Sequence, residues 1–331
     1  MFDVFLVTFP FFALIAAGYA AGRRGVLPLA AIPGLNIFVL YFALPCMLYR
    51  FGAGTPIGQL LDASVALVWG LCSLLTVAAV VMASRRRMGW NDASFGALVA
   101  AFPNTGFMGM PLLSAILGAA SAGPVIITLT FDMVITSSLC IALSRLDAGD
   151  GGAAGRPGVA RALRQALRGI LLNPMPWSIL LGALASTLSY RLPSPLDRTV
   201  AMLADAASPV ALFTIGTVLA RSALLARGRR RADAVHVVLP VVVAKLFFHP
   251  LLMLGMARLA MAAGLPLSEP SMVALVLLAA LPSASNVSML AERFGADNGR
   301  IARIILWTTV AAFFSFPVAV GWLHPAAAAA K

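Results

Sequence analysis

Pro103, Asn104 and Thr105 interrupt one long apolar run, and Pro282, Ser283, Ser285 and Asn286 interrupt another. A proline inside a helix removes a backbone N–H and collides with the carbonyl four residues earlier. Each run must therefore break, which leaves the carbonyls of Val99 and Leu278 without their helical donors. Hydrocarbon offers no replacement, so such groups must be satisfied by protein or line a cavity. Gly106 and Gly109 lack a Cβ and let a neighbouring backbone approach closely. Two half-helix N-termini brought together would add free N–H groups and positive dipole ends. The chemistry on offer is hydrogen bonding to negative charge, so the cradle suits a carboxylate or another small anion. The competing reading is a pair of prolines that only kink packed helices, which membrane helices tolerate.

Ionisable groups inside apolar runs are candidates by default. Asp132 and Lys245 each fall mid-run. They read either as an internal ion pair holding helices together or as a coupling site that responds to protons or sodium. Asn36, polar in an apolar run, either bonds between helices or faces a substrate. Asp62 and Asp205 lie nearer run ends and read as solvated or capping groups. His249 precedes Pro250 with no metal partner in view and reads as a packed or interfacial side chain. Cys46, Cys72 and Cys140 show no metal or redox spacing. No metal site and no cofactor is expected. There is no H-E-x-x-H, GxSxG or Walker motif, so neither intramembrane catalysis nor direct ATP-driven pumping is indicated.

The elements that must hold these residues follow from composition. The chain of 331 residues is 61% hydrophobic and 11% charged, with a mean hydropathy of +0.95; soluble domains carry about 25% charged residues. Apolar runs of roughly twenty residues read as membrane helices. They fall at about 3–22, 28–49, 59–83, 92–117, 124–144, 173–190, 196–220, 234–260, 270–292 and 301–323, a ten-helix all-α protein. The net charge of +12 does not point to nucleic acid, because it is laid out by side. Alternate loops carry 18 of the 24 Lys and Arg on one face and 5 on the other, with Lys245 within a span. That is the positive-inside pattern, with both termini outside the cytoplasm. The N-terminal run has Asp3 before it and Arg23 and Arg24 after it, the reverse of a signal peptide. It reads as a first membrane helix.

The expected domains are residues 1–145, a cytoplasmic linker 146–172, residues 173–323, and a C-terminal tail 324–331. The linker begins Gly/Ala/Asp-rich. It continues as an amphipathic segment, Arg161, Arg164 and Arg168 on one face and Val159, Leu163, Leu167 and Ile170 on another, suited to an anionic lipid surface. At a constant offset of 179, "LVAAFPNTGFMGM" (Leu98–Met110) meets "LLAALPSASNVSM" (Leu277–Met289), and Ile126 and Thr130 meet Ile305 and Thr309. Five helices per half is odd, so the second half inserts upside down relative to the first. Inverted repeats with one broken helix each point to a secondary transporter. A channel also uses broken helices, and a ligand-sensing receptor is the remaining alternative, though no appended signalling domain is seen.

"FPNTGFMGMPLL" (Phe102–Leu113), with "LNIFVLYFALP" (Leu35–Pro45) and "PVALFTIGTVLA" (Pro209–Ala220), resembles the auxin efflux carrier family. That family includes plant auxin carriers and bacterial transporters of malonate, malate and similar acids. The resemblance spans essentially the whole chain. It implies ten helices in two inverted five-helix repeats, distantly related to bile-acid/sodium symporters. A scaffold bundle and a transport bundle would meet at crossed, broken helices 4 and 9. It further implies an elevator-like carrier of small organic anions in a bacterial inner membrane, expected as a homodimer, with substrate contacts at Pro103, Asn104, Pro282 and Asn286. One departure is plain: the second break reads "PSASN", its Asn four residues after the proline rather than one.

Overall fold

The computed structural model describes residues 2–55, 62–146, 174–225 and 232–323. The expected amphipathic linker helix and the tail 324–331 lie outside the described residues, as do residues 226–231 of the 221–233 loop. Among the described residues every element is helical. In order they are α1 (Phe2–Arg24), α2 (Leu29–Gly54), α3 (residues 63–88), α4a (90–101), α4b (Thr105–Leu117), α5 (Ala122–Leu143), α6 (Pro174–Thr187), α7 (Ser194–Leu225), α8 (232–262), α9a (Glu269–Ala280), α9b (Asn286–Arg293) and α10 (Asn298–Leu323). Six helical stretches among the described residues are long and apolar enough to cross a membrane. One of them, Ala63–Ala101, joins two of the expected spans and turns at Gly89, whose φ of 74° suits a residue without Cβ. The pieces on either side of the breaks are individually short.

Each helix start and face follows from its sequence. Asp62 caps α3 by accepting from the backbone N–H groups of Ser64 and Val65, satisfying donors that a helix N-terminus leaves open. On α3, Leu67, Leu71 and Leu74 are exposed while Val65, Trp69, Cys72 and Thr76 are buried, the one-sided stripe of a helix with a protein face and a lipid face. In α4a, by contrast, Ala93 to Ala101 are all buried, and α9a is buried from Ala274 to Ala280. These two segments are apolar all round because protein surrounds them.

Packing divides the helices into two groups. In one, α1 lies along α7, α2 along α6, and α2 also against α7. The other joins α3, α4, α5, α8, α9 and α10. The first group is locked by glycines. A Cβ on Gly18 would stand 1.9 Å from the Phe213 carbonyl oxygen, and one on Gly216 2.0 Å from that of Ile15. The α2–α6 contact repeats the device: Gly52 faces the Ile179 carbonyl at 2.6 Å and Gly182 the Tyr49 carbonyl at 2.2 Å on the same measure. Gly18 and Gly182 are separated by 164 positions, as are Gly52 and Gly216, and Pro45 and Pro209.

The groups touch where α1 and α7 meet α4b and α10, with the Phe313 ring edge-on to Phe5 and Phe12. The crossing of the two breaks lies inside the six-helix group. Its α4b side, from Thr105 to Gly109, also packs on α7, so the crossing borders the four-helix group as the resemblance implied.

Candidate functional site

The two breaks satisfy one another. Around Pro103 and Ser283 the chain is extended and forms an isolated antiparallel bridge. The Asn104 N–H donates to the Pro282 carbonyl at 2.8 Å, and the Ala284 N–H to the Phe102 carbonyl at 3.0 Å. The bridge is drawn through the neighbours of the prolines, which have no N–H to give. The Val99 carbonyl that Pro103 orphans accepts the Ser283 hydroxyl at 2.6 Å. The Leu278 carbonyl takes the Leu281 N–H at 3.2 Å, and the next one, Ala279, takes the Lys245 ammonium at 2.9 Å. A cation at the C-terminal end of α9a also meets the negative end of that helix dipole. The Ser283 N–H reaches the Thr308 hydroxyl at 3.3 Å.

The N–H groups of Asn104, Thr105, Ser283 and Ala284 are thus engaged, while those of Gly106, Phe107, Ser285 and Asn286, in the first turns of the two half-helices, make no hydrogen bond to other described residues. Side-chain chemistry stays uncommitted as well. The Asn104 carbonyl accepts from Met108 and Gly109 and starts α4b. Its side chain, 4% exposed, makes no hydrogen bond to other described residues. The Thr105 hydroxyl oxygen and Asn286 Oδ1 are buried without partners. Pro103, Asn104, Thr105, Pro282, Ser283, Ser285 and Asn286 are brought to one locus by the bridge and the two half-helices that leave it. The Ser283 hydroxyl, however, is tied to Val99. Gly106 has room around it, a Cβ there meeting only Leu129 at 3.5 Å. At Gly109 the close neighbours are the side chains of Leu281 and Leu278, not a backbone. Asn36 lies on α2 in the four-helix group, and no hydrogen bond ties it to the crossing.

Asp132 and Lys245 are both fully buried but form no direct ion pair. Asp132 Oδ1 accepts from the Trp69 indole at 3.1 Å and from Thr136 at 2.9 Å, while Oδ2 is buried without a partner. Lys245 lies 3.1 Å from His249 Nδ1, and the His249 and Trp69 rings are 5.7 Å apart. Each charged residue sits in a five-residue π-helical turn, Asp132–Thr136 and Ala244–Phe248. A third such turn, Thr105–Gly109, follows Asn104. Such turns widen the helix and are frequent at functional sites. The sequence singled out both charges. It carried no signal for Trp69, Thr136, Thr308 or the Ala279 carbonyl, whose roles arise only on folding.

Asp62 caps its helix as expected. Asp205 pairs with Arg50 at 3.3 Å, both exposed. No group of three His, Cys, Asp or Glu among the described residues is placed to hold a metal.

Two broken, buried helices joined at a polar knot inside an apolar bundle match one family by sequence: the model for membrane transport proteins covers residues 3–320. The chain belongs to that family. It is an auxin-efflux-carrier-like membrane transporter, not an enzyme, with a small-molecule substrate and a lipid surround. A "Putative malonate transporter" of Rhizobium meliloti (strain 1021) is 32% identical over 313 residues, 94% of this chain and 92% of the relative. An uncharacterized transporter, YfdV, of Escherichia coli (strain K12) is 23% identical, covering 86% of each chain. Auxin efflux carrier component 8 of Arabidopsis thaliana is 23% identical across 70% of this chain and 76% of its own length. The relatives thus come from both bacteria and a plant.

Proposed function

We propose that this transporter carries small organic anions, carboxylates such as malonate, malate or auxin-like acids, by alternating access at the crossing of α4 and α9. The observation that carries the reading is the uncommitted Asn104 amide at the head of α4b, beside the unpartnered Thr105 hydroxyl and Asn286. In a dry site the Asn104 amide and the Thr105 hydroxyl are donors for a carboxylate without a competing protein acceptor, and the Asn286 Oδ1 can accept from a protonated acid or a substrate hydroxyl. Pro103, Pro282 and Gly106 shape the cradle, Ser283 braces it, and Ser285 opens the second half-helix. Asn36 would enter the substrate path from α2 only when the groups shift. Transport is secondary active or facilitated.

The proposed frame is ten helices in two inverted five-helix repeats, residues 1–145 and 173–323, in a bacterial inner membrane with both termini non-cytoplasmic. Two observations support it: the matched breaks at offset 179, and the glycine contacts in which α1–α7 mirrors α6–α2. The glycine-locked four-helix group would stay fixed, as a homodimer's core, while the six-helix group moves as the elevator.

Asp132 and Lys245 are proposed as the coupling groups. The orphaned Oδ2 of Asp132 favours a proton or a sodium ion there, and the sodium-coupled, bile-acid-symporter-like mode is the alternative to proton coupling. Asp132→Asn keeps an acceptor for Trp69 and Thr136, so it should fold normally and lose the pH or sodium dependence of transport. Retained dependence in a folded variant removes Asp132 from the coupling path.

The substrate class is tested by melting purified protein against a panel of mono- and dicarboxylates. A true ligand raises the melting temperature by mass action, and Asn104→Ala should abolish that rise. A panel with no stabiliser rejects the carboxylate reading.

A further inference from the structure

Where the two helix groups part, a cavity of about 550 Å³ opens, within the size range of small-molecule sites. Arg50 and Asp205, from α2 and α7 of the four-helix group, line one wall; Pro111 and Ser114 of α4b line the other. Ser114 lies ten residues beyond Asn104 on the same half-helix, about 15 Å at 1.5 Å per residue. The cavity and the crossing thus lie toward opposite ends of one half-helix.

Arg50 is poised for exchange. Its ion pair with Asp205 is single-toothed, 3.3 Å from one guanidinium nitrogen to one carboxylate oxygen. The two side chains are 46% and 78% exposed, and pairs so exposed contribute little to stability. A guanidinium carries five donors in a fork that fits a carboxylate two bonds at a time, so most of its capacity is unused. On the same wall, Ser208 Oγ is buried with no hydrogen-bond partner. Arg50 also borders a second cavity of about 460 Å³, which adds Arg191, Asp197, Tyr49 and Tyr190. Among the described residues no other cation lines the first cavity.

We propose that Arg50 and Ser208 form a second anion subsite, which takes a carboxylate in exchange for Asp205 at one membrane face only. Both residues stand on the four-helix group, so the subsite stays in place while α4b, which forms the far wall of the cavity, moves past it. It selects substrate on the way to the crossing. This deepens the transport reading above and rests on it for the substrate class.

The test is sided transport of radiolabelled malonate, malate and indole-3-acetate, measured in whole cells and in inverted membrane vesicles, which present opposite faces. Arg50→Gln should raise KM about ten-fold at one face and leave the other unchanged. Arg50→Lys, which keeps the charge but loses the fork, should fall between. Asp205→Asn frees the guanidinium and should lower KM at the same face. Equal changes at both faces, no change at either, or an Asp205→Asn variant that mimics Arg50→Gln overturns the subsite. Asn104→Ala, run alongside, should raise KM at both faces; if it is silent while Arg50→Gln stays one-sided, the crossing site fails and the subsite stands. A wild type that moves none of the three acids overturns both.

Discussion

The two breaks share a backbone but not an occupation. At each, a proline opens a long buried helix, and the strands beside the prolines exchange hydrogen bonds. The second break then commits Ser283 and Ala279 to structure: the Ser283 hydroxyl to Val99, the Ser283 N–H to Thr308, and the Ala279 carbonyl to Lys245. The first break keeps the Asn104 side chain uncommitted. The difference teaches that matched backbone geometry permits a division of labour, one half bracing and the other half offering donors. It also explains why the second Asn can stand four residues after its proline: Ser283 occupies the bridging position opposite Pro103.

Substitutions at four positions sharpen or break that contrast. Lys245→Ala should have the largest effect. It strands the Ala279 carbonyl, a loss of about 1–3 kcal/mol, and leaves a cavity where a long buried side chain stood, for a further loss of about 2–5 kcal/mol by analogy with large-to-small core changes. Lys245→Met should recover the cavity part alone. Thermal melting reads both, and an unshifted Lys245→Ala would show that the second break is not braced from α8.

Asn104→Ala comes next. Losing a donor to a charged group is worth about 1.5–3 kcal/mol, roughly ten-fold to a hundred-fold in affinity, with melting unchanged. Asn104→Asp should bind more weakly still, since it sets a negative charge against an anion. If both melt early yet bind as tightly as wild type, the first break is a brace and the contrast collapses.

Ser283→Ala should do the reverse. The Val99 carbonyl loses its donor at a cost of about 1–3 kcal/mol, so the protein melts earlier while binding in the folded fraction holds. A loss of affinity at full stability would move Ser283 among the ligand contacts.

The smallest effect is expected of Asn286→Ala. One neutral hydrogen bond, about 0.5–1.5 kcal/mol, corresponds to roughly two-fold to ten-fold in affinity. A loss as great as that of Asn104→Ala would make the two breaks equal partners in binding.

Much of this was legible in the sequence because proline acts locally. Pro103 and Pro282 announced the breaks, and Asp62 announced its cap, from neighbours in the chain alone. The partners of the freed groups were not legible. Nothing near Val99 points to Ser283, and mid-run placement of Asp132 and Lys245 could not tell a direct pair from two separate networks around Trp69 and His249. The glycine contacts escaped for another reason. Their offset of 164 differs from the 179 at the breaks, because the chain from α7 to the second break is longer than that from α2 to the first. A single-offset comparison sees one or the other.

The bond from Ser283 to Val99 joins residues 184 apart. Ribosomes add about 5–20 residues per second, so the nascent first half waits roughly ten to forty seconds with that carbonyl bare. During synthesis α4 must therefore rest against water, lipid headgroups or the insertion machinery, or stay a continuous kinked rod, until α9 arrives. The first half on its own is an unfinished membrane protein. Truncation after α5 should produce a chain that quality-control proteases remove, and a separately expressed second half should rescue it.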